Sequence, residues 1–346
     1  MAKLSSLTRF LLVASLFGFA AVAGAQQPPL PTEQEIKQQQ QRRIDQPGNN
    51  APVWREVRRE AQEHYTSIKG RETGVLVQSA GDTWRRWRNG PITIWGGWLV
   101  VLTCLAIAGL YFAKGPIKLH DKPSGRVIER FSVVERWAHW VMGISFVVLG
   151  ITGLIILFGK HVLLPVIGYT LFAWLTSLAK NLHNFVAPLF VVSLAVFIVM
   201  YVKDNLPRAY DFAWFGKVFG FFFRGEHVPS GRFNGGEKAW FWIGVVALCI
   251  VVSVSGAILL FPNFDQVRAT MQQAHMVHAV AAVLVIAASI GHIYMGTIGV
   301  EGAYQSMRTG YVDEIWAREH HQYWHDEIKS GKALAQAAGA APQATH

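Results

Sequence analysis

The sequence predicts an all-α membrane protein: a transmembrane helical bundle with a four-helix core and one extra helix before it. Three observations carry this. The 346 residues are 51% hydrophobic and only 16% charged, too apolar for a soluble domain of this length. The apolar residues fall into five separate runs. The last run, residues 271–299, holds no Asp, Glu, Lys or Arg but carries His278 and His292, fourteen residues apart.

Residues 1–25 read as a signal peptide. Lys3 and Arg9 give a basic start, residues 10–22 an apolar core, and Ala23-Gly24-Ala25 a small-residue cleavage site before Gln26. An uncleaved anchor is the alternative, but the apolar core is too short to span comfortably. Residues 26–91 form a Gln/Pro-rich extension, expected in the periplasm. Its first part, residues 26–52, has the composition of a disordered linker. Residues 54–70 read as a short charged helix. Trp84 and Trp87 suit a membrane interface, and Pro91 opens the next helix.

The spans are expected at 92–113, 133–158, 182–202, 239–261 and 271–298, the first being the extra helix. A cleaved signal puts the mature N-terminus outside, so the first span runs inward. The loop 114–132 is then cytoplasmic, with Lys114, Lys118, Lys122, Arg126 and Arg130. The loop before the fourth span is cytoplasmic and equally basic, and the outer loops hold few cations, Lys160 and Arg268 among them. This obeys the positive-inside rule. Arg85, Arg86 and Arg88 run against it, in an outer segment long enough for the rule to weaken. Residues 300–346 become a cytoplasmic C-terminal helix and a disordered tail. The expected location is the bacterial inner membrane, with lipids around the spans. The net charge of +10 belongs to these loops, and no basic–aromatic stripe suggests nucleic acid.

Fourteen residues turn a helix by four turns less about 40°, so His278 and His292 leave one face about 21 Å apart. Two further histidines lie in spans: His139 about two turns into the second, and His183 at the outer end of the third. Depth alone pairs His183 with His278 and His139 with His292. Facing neutral imidazoles in a helix bundle are suitable axial ligands for haem iron. Small residues beside them (Gly143, Gly150, Gly153, Ala187, Ala281, Ala282, Gly291) leave room for a flat macrocycle. No C-x-x-C-H occurs, so any haem is b-type. Cys104 and Cys249 both sit in apolar runs, which argues against a disulfide.

A zinc or nickel site is the other metal reading, but the spans offer no carboxylate to complete it. A lone histidine in a span is more often a packing residue; four matched in depth favour haem. His275, one turn before His278, is an alternative ligand or a proton relay. His320, His321 and His325 lie in a polar tail segment and read as a solvated or docking face. His64, His120, His161 and His227 are loop residues with no pattern.

From about residue 130 to 329 the chain resembles the gamma subunit, cytochrome b, of membrane-bound formate dehydrogenase. The elements are R-F-S-V-V-E-R-W-A-H-W, K-N-L-H-N-F, R-F-N-G-G-E-K-A-W-F-W, the H-x13-H-I-Y-M segment and W-A-R-E-H-H-Q-Y-W. Cytochromes b of nickel–iron hydrogenases and thiosulfate reductases are related. The resemblance implies a four-helix diheme cytochrome b core over 133–299. It implies two haem b groups, held by His183 and His278 near the periplasm and by His139 and His292 near the cytoplasm. It further implies a menaquinone or ubiquinone pocket beside the inner haem, with Asn234 and Gly236 at quinone-contacting positions and Lys238 adjacent. Read without it, F-N-G-G-E-K is a turn and a helix start. The implied partners are an iron–sulfur beta subunit and a molybdenum or tungsten catalytic alpha subunit. The chain has no Cys clusters for iron–sulfur, no Gly-rich cofactor loops and no catalytic constellation of its own. It reads as an electron-transfer subunit, with the chemistry supplied by cofactors. A haem-free anchor or metal permease is the rival from another class.

Overall fold

A computed structural model describes residues 32–45 and 79–331, except 225 and 265. The signal peptide, the helix expected at 54–70 and the end of the C-terminal tail lie outside the described residues. In chain order the helices are α1 (Glu33–Asp45), α2 (Ser79–Trp87), α3 (Thr93–Lys114), α4 (Val133–Val162), α5 (Leu164–Tyr201), α6 (Ala209–Gly216), α7 (Val218–Arg224), α8 (Gly235–Ala239), α9 (Cys249–Leu260), α10 (Arg268–Tyr294), α11 (Ala303–Arg308), α12 (Glu314–His320) and α13 (Gln322–Lys329). π-helical stretches cover Arg88–Ile92, Trp240–Leu248 and Met295–Gly299. Strands β1 (Val127–Glu129) and β2 (Tyr311–Asp313) pair antiparallel, with Ile128 opposite Val312. The described fold is thus helical, with one small two-stranded pairing between segments distant in sequence that no sequence pattern announced.

Among the described residues, five continuous helical stretches are long and apolar enough to cross a membrane: Ala80–Lys114, Val133–Val162, Leu164–Tyr201, Gly235–Leu260 and Arg268–Gly299. Large apolar side chains such as Phe112, Val166, Phe185 and Val199 are left exposed on them. That is how a surface facing hydrocarbon is built. Two elements differ from expectation. The first is α1, which forms where composition predicts a disordered linker. Thr32 starts it with a capping box: its Oγ1 accepts the Glu35 N–H at 3.4 Å, and the Glu35 carboxylate accepts the Thr32 N–H at 2.7 Å. The Gln, Lys and Arg residues that follow are good helix formers. The second is α5, which begins at Leu164 rather than near residue 182. Pro165 in its first turn is compatible with a helix start, and the helix is interrupted only at Gly168, at φ 73°. His183 therefore sits well inside a long helix rather than at its end.

The described chain divides into two compact units, Met1–Trp95 with Val254–Val280, and Gly96–Ser253 with Ala281–His346. The core of the second unit gathers Phe190, Leu194, Phe197 and Tyr201 of α5 with Phe131, Phe233, Phe241, Val245 and Val285. A reciprocal lock closes one end of it. Two segments, Arg130-Phe131-Ser132-Val133-Val134-Glu135 and Arg232-Phe233-Asn234-Gly235-Gly236-Glu237, each begin a helix. Ser132 and Asn234 are the N-caps, and both form capping boxes with the glutamate three residues on. The arginines then cross over. Arg130 donates to the Glu237 carboxylate at 3.0 Å and to the Arg232 carbonyl at 2.9 Å. Arg232 donates to Glu135 at 2.7 Å and to the Arg130 carbonyl at 2.6 Å, and it also pairs with Asp204. The Arg130 guanidinium packs over Phe131, Phe233 and Trp316. Each helix start is thereby pinned to the other.

The tail folds back on the chain instead of standing in solvent. Trp316, Ala317 and Trp324 are buried with Val312. His320, His321 and His325, read as a solvated or docking face, are buried with them. His321 Nδ1 lies 2.8 Å from the Gly231 carbonyl, and burial together with the nearby Arg130 charge lowers its pKa to about 4.

Candidate functional site

His139 is carried by α4, whose start is fixed by the Ser132 cap; His292 is carried by the far half of α10. Their imidazole centroids lie 6.3 Å apart at 54°. Two imidazoles bound at about 2 Å on opposite sides of one metal would have centroids about 6 Å apart, so the spacing fits two ligands of one iron. His139 Nδ1 is buried without a hydrogen-bond partner. Phe197 packs beside His139 at 6.3 Å. A Cβ placed on Gly143, one turn along α4, or on Gly291, next to His292, would meet no heavy atom within 4 Å. Open space therefore lies beside both glycines.

Trp240 stacks on His292, with centroids 4.9 Å apart and ring planes at 14°. Its position depends on Gly244, because a Cβ there would overlap the Trp240 ring. Both belong to the π-helical stretch Trp240–Leu248, and such distortions of a helix commonly sit at functional positions. A tryptophan in this role was not foreseen. The signal was its place in the R-F-N-G-G-E-K-A-W segment, six residues after the cap.

His183 and His278 belong to different units, and each has a defined partner in its own. Thr152 Oγ1 lies 2.8 Å from His183 Nδ1 and donates its own proton to the Val148 carbonyl at 2.8 Å. With that proton committed, the hydroxyl accepts from His183 Nδ1–H, which leaves Nε2 with its lone pair. The ring packs against Gly153, whose added Cβ would stand 3.5 Å from His183 Cε1. In the other unit, Ser255 Oγ lies 3.2 Å from His278 Nδ1, and a Cβ on Gly256 would approach His278 Cε1 to 3.1 Å. His275 meets Trp84 edge-on at 5.7 Å. These hydroxyls orient the imidazoles, a supporting role that metal-ligating histidines ordinarily need. The sequence shows them as small polar residues inside apolar runs, a signal too common to single them out.

The turn holding Asn234, Gly236 and Lys238 is tightly used by the fold. Asn234 Oδ1 accepts the Glu237 N–H at 2.9 Å. Gly236 lies against Trp214, where a Cβ would come within 2.6 Å of the indole. Lys238 Nζ is buried in an ion pair with Asp211 at 2.8 Å and lies over the Tyr210 ring. Each position thus has a role in the fold: the cap at Asn234, a close approach at Gly236 and a buried ion pair at Lys238.

Apolar helices that carry one close imidazole pair and two further imidazoles, each oriented by a hydroxyl, are the pattern of a membrane-embedded cytochrome of the b type. The chain belongs to the prokaryotic cytochrome b561 family, whose model matches residues 130–310. It is an integral membrane protein, and membership implies haem b, which the imidazole spacing and the open flanks of Gly143 and Gly291 fit. Among curated relatives, the formate dehydrogenase cytochrome b556(fdo) subunit of Escherichia coli K12 is 31% identical over 208 residues, covering 58% of this chain and 93% of the relative. The nitrate-inducible formate dehydrogenase cytochrome b556(Fdn) subunit of the same strain is 28% identical over 218 residues, covering 60% and 94%. The formate dehydrogenase cytochrome b556 subunit of Haemophilus influenzae is 26% identical over 220 residues, covering 61% and 87%. The resemblance read from the motifs is borne out.

Proposed function

We propose that this chain is the membrane cytochrome b subunit of a formate dehydrogenase complex, passing electrons from a periplasmic iron–sulfur subunit to quinone near the cytoplasmic face of the inner membrane. The observation that carries this reading is the facing pair His139 and His292, 6.3 Å between centroids, in a chain that covers nine-tenths of its relatives. When bound, two b haems supply one-electron couples at two depths of the membrane.

The protein's own contribution is to hold and orient. His139 and His292 would hold the inner haem, and Trp240 stacked on His292 fixes that ring. By their depth in the sequence alone, His183 and His278 would hold the outer haem, and each is oriented within its own unit by a hydroxyl, Thr152 or Ser255. Neutral imidazoles oriented through Nδ1 present Nε2 without reorganisation. Quinone is taken beside the turn Asn234–Lys238. The support is proximity in the chain: Trp240, which stacks on His292, begins two residues after Lys238. Reduction of a quinone needs protons as well as electrons, and the basic loops give a wet face from which to draw them. Formate itself is oxidised on a molybdenum or tungsten subunit. Charge then crosses the low-dielectric layer, conserving energy as membrane potential.

The test is an anaerobic difference spectrum of membranes, formate-reduced minus oxidised, with and without this chain. A b-type α-band that formate produces and deletion abolishes supports the reading. A b-type band that only dithionite reveals keeps the cytochrome and assigns it another donor, such as a hydrogenase or a thiosulfate-linked partner.

A further inference from the structure

Three residues from separate parts of the chain meet outside the spans. His120 follows α3, His227 precedes α8, and Glu319 lies in α12; none is in a helix long enough to cross a membrane. Their ligand atoms all lie within 4.8 Å of one another. His227 Nε2 is 3.3 Å from Glu319 Oε2. Two ligands bound at about 2.05 Å to one tetrahedral zinc are separated by about 3.3 Å, so this pair already has the spacing of a coordination edge. The His120 ring meets His227 edge-on, with centroids 4.5 Å apart at 83°.

The carboxylate is held in place for this. Glu319 Oε2 accepts the His120 N–H and Oε1 the Asp121 N–H, both at 2.9 Å. His227 is nearly buried, and neither of its ring nitrogens makes a hydrogen bond. Two unmet polar atoms on one nearly buried ring are unfavourable, and the fold shows no structural return for them. On the other side of that ring, His320 stands 4.6 Å away by centroid, and its Nε2 is likewise buried without a hydrogen-bond partner. A cleft of about 360 Å³ opens onto the group, leaving a position for water as a further ligand. Arg318 also lines it, but its charge is paired with Asp121.

We propose that His120, His227 and Glu319 form a Zn²⁺ site that ties the loop after α3, the loop before α8 and the C-terminal helix α12 together. Two imidazoles and one carboxylate match zinc, whereas calcium and magnesium prefer oxygen ligands throughout. The site lies in three segments distant in sequence, so a bound ion restrains the tail against the loops that flank the spans. It is independent of haem and of the identity of the electron donor.

The test uses the tag-free complex in detergent, stripped with EDTA, reloaded with ZnCl₂ and desalted. Zinc per chain is read by elemental mass spectrometry, and its ligands by X-ray absorption at the zinc edge. The expected result is one zinc per chain, with imidazole scattering and bond lengths near 2.0–2.1 Å. Glu319→Gln and His120→Gln each lower retained zinc at least about tenfold, with haem content unchanged. His120 is exposed, so its variant folds even where a change at His227 does not. Zinc at the buffer blank in the wild type, or equal zinc in wild type and His120→Gln, overturns the proposal.

Discussion

Replacing Arg130 by Met removes the centre of the reciprocal lock at the helix starts while keeping an apolar stem of similar length. The native guanidinium is 4% exposed, donates to Glu237 and to the Arg232 carbonyl, and packs over three aromatic rings. A charge-assisted hydrogen bond contributes about 1.5–3 kcal/mol and a neutral one about 1, while cation–π contacts add about 0.5–1 each. Met recovers part of this through burial. Glu237 is left 35% exposed and still bonded to the Asn234 N–H, so its stranded charge is partly hydrated and the loss lies near the lower end for broken buried pairs, about 3 kcal/mol. For a domain of this size that lowers Tm by about 6–12 °C. Thermal unfolding in detergent can be followed with a thiol-reactive dye, since Cys249 is buried and Cys104, already exposed, sets the baseline. Glu237→Gln alone also destabilises, and the double variant loses about 1–3 kcal/mol less than the sum. Arg130→Met melting within about 2 °C of the wild type, or strict additivity in the cycle, refutes the lock.

Thr152→Val leaves His183 Nδ1–H without its acceptor and lowers haem affinity about 10–100-fold, measured as haem retained per chain after dilution; Thr152→Ser keeps it, and equal retention in Val and Ser variants counts against the orienting role. Gly244→Val drives the Trp240 ring off His292, and potentiometric titration then shows one b haem shifted in midpoint while the other is unmoved. Glu314 is held at about pKa 2, against an ordinary 4.5, by hydrogen bonds from Lys329 and then His325. A carboxyl lowered in the folded state favours folding above its ordinary value and loses that contribution as pH falls from 4.5 toward 2. Protection of the α12 and α13 amides, taken as exchange relative to the intrinsic rate at each pH, therefore falls over that window, and Glu314→Gln removes this change; protection that stays constant in the wild type contradicts the assignment.

The spans were legible because twenty apolar residues with no charge have few other uses. The helix start at F-N-G-G-E-K was legible as a turn, whereas the capping boxes of Ser132 and Asn234, each with glutamate three residues later, emerged only with the structure. What sequence did not yield depends on pairings between distant segments. The pattern R-F-[S/N]-x-x-E occurs twice, at Arg130 and Arg232, but a repeat of six residues does not say that its arginines exchange partners. His120 and His227 carry no pattern of their own; only the fold brings them to Glu319. His320, His321 and His325 looked solvated because their neighbours are polar, yet Trp316 and Trp324 supply the apolar face that buries the segment. For α1, bulk composition outweighed a local capping box that was present in the letters. The facing of His139 and His292 was anticipated from depth, which works because a membrane confines each helix to one axis and makes residue number a measure of height.

The most direct test of the histidine assignment is the number of b haems per purified chain by pyridine haemochrome, in the wild type and in His139→Ala and His292→Ala. Two haems in the wild type falling to one in each variant, with the same haem lost in both, is the result expected of a shared inner pair. Two haems retained in either variant, or different haems lost in the two, contradicts it.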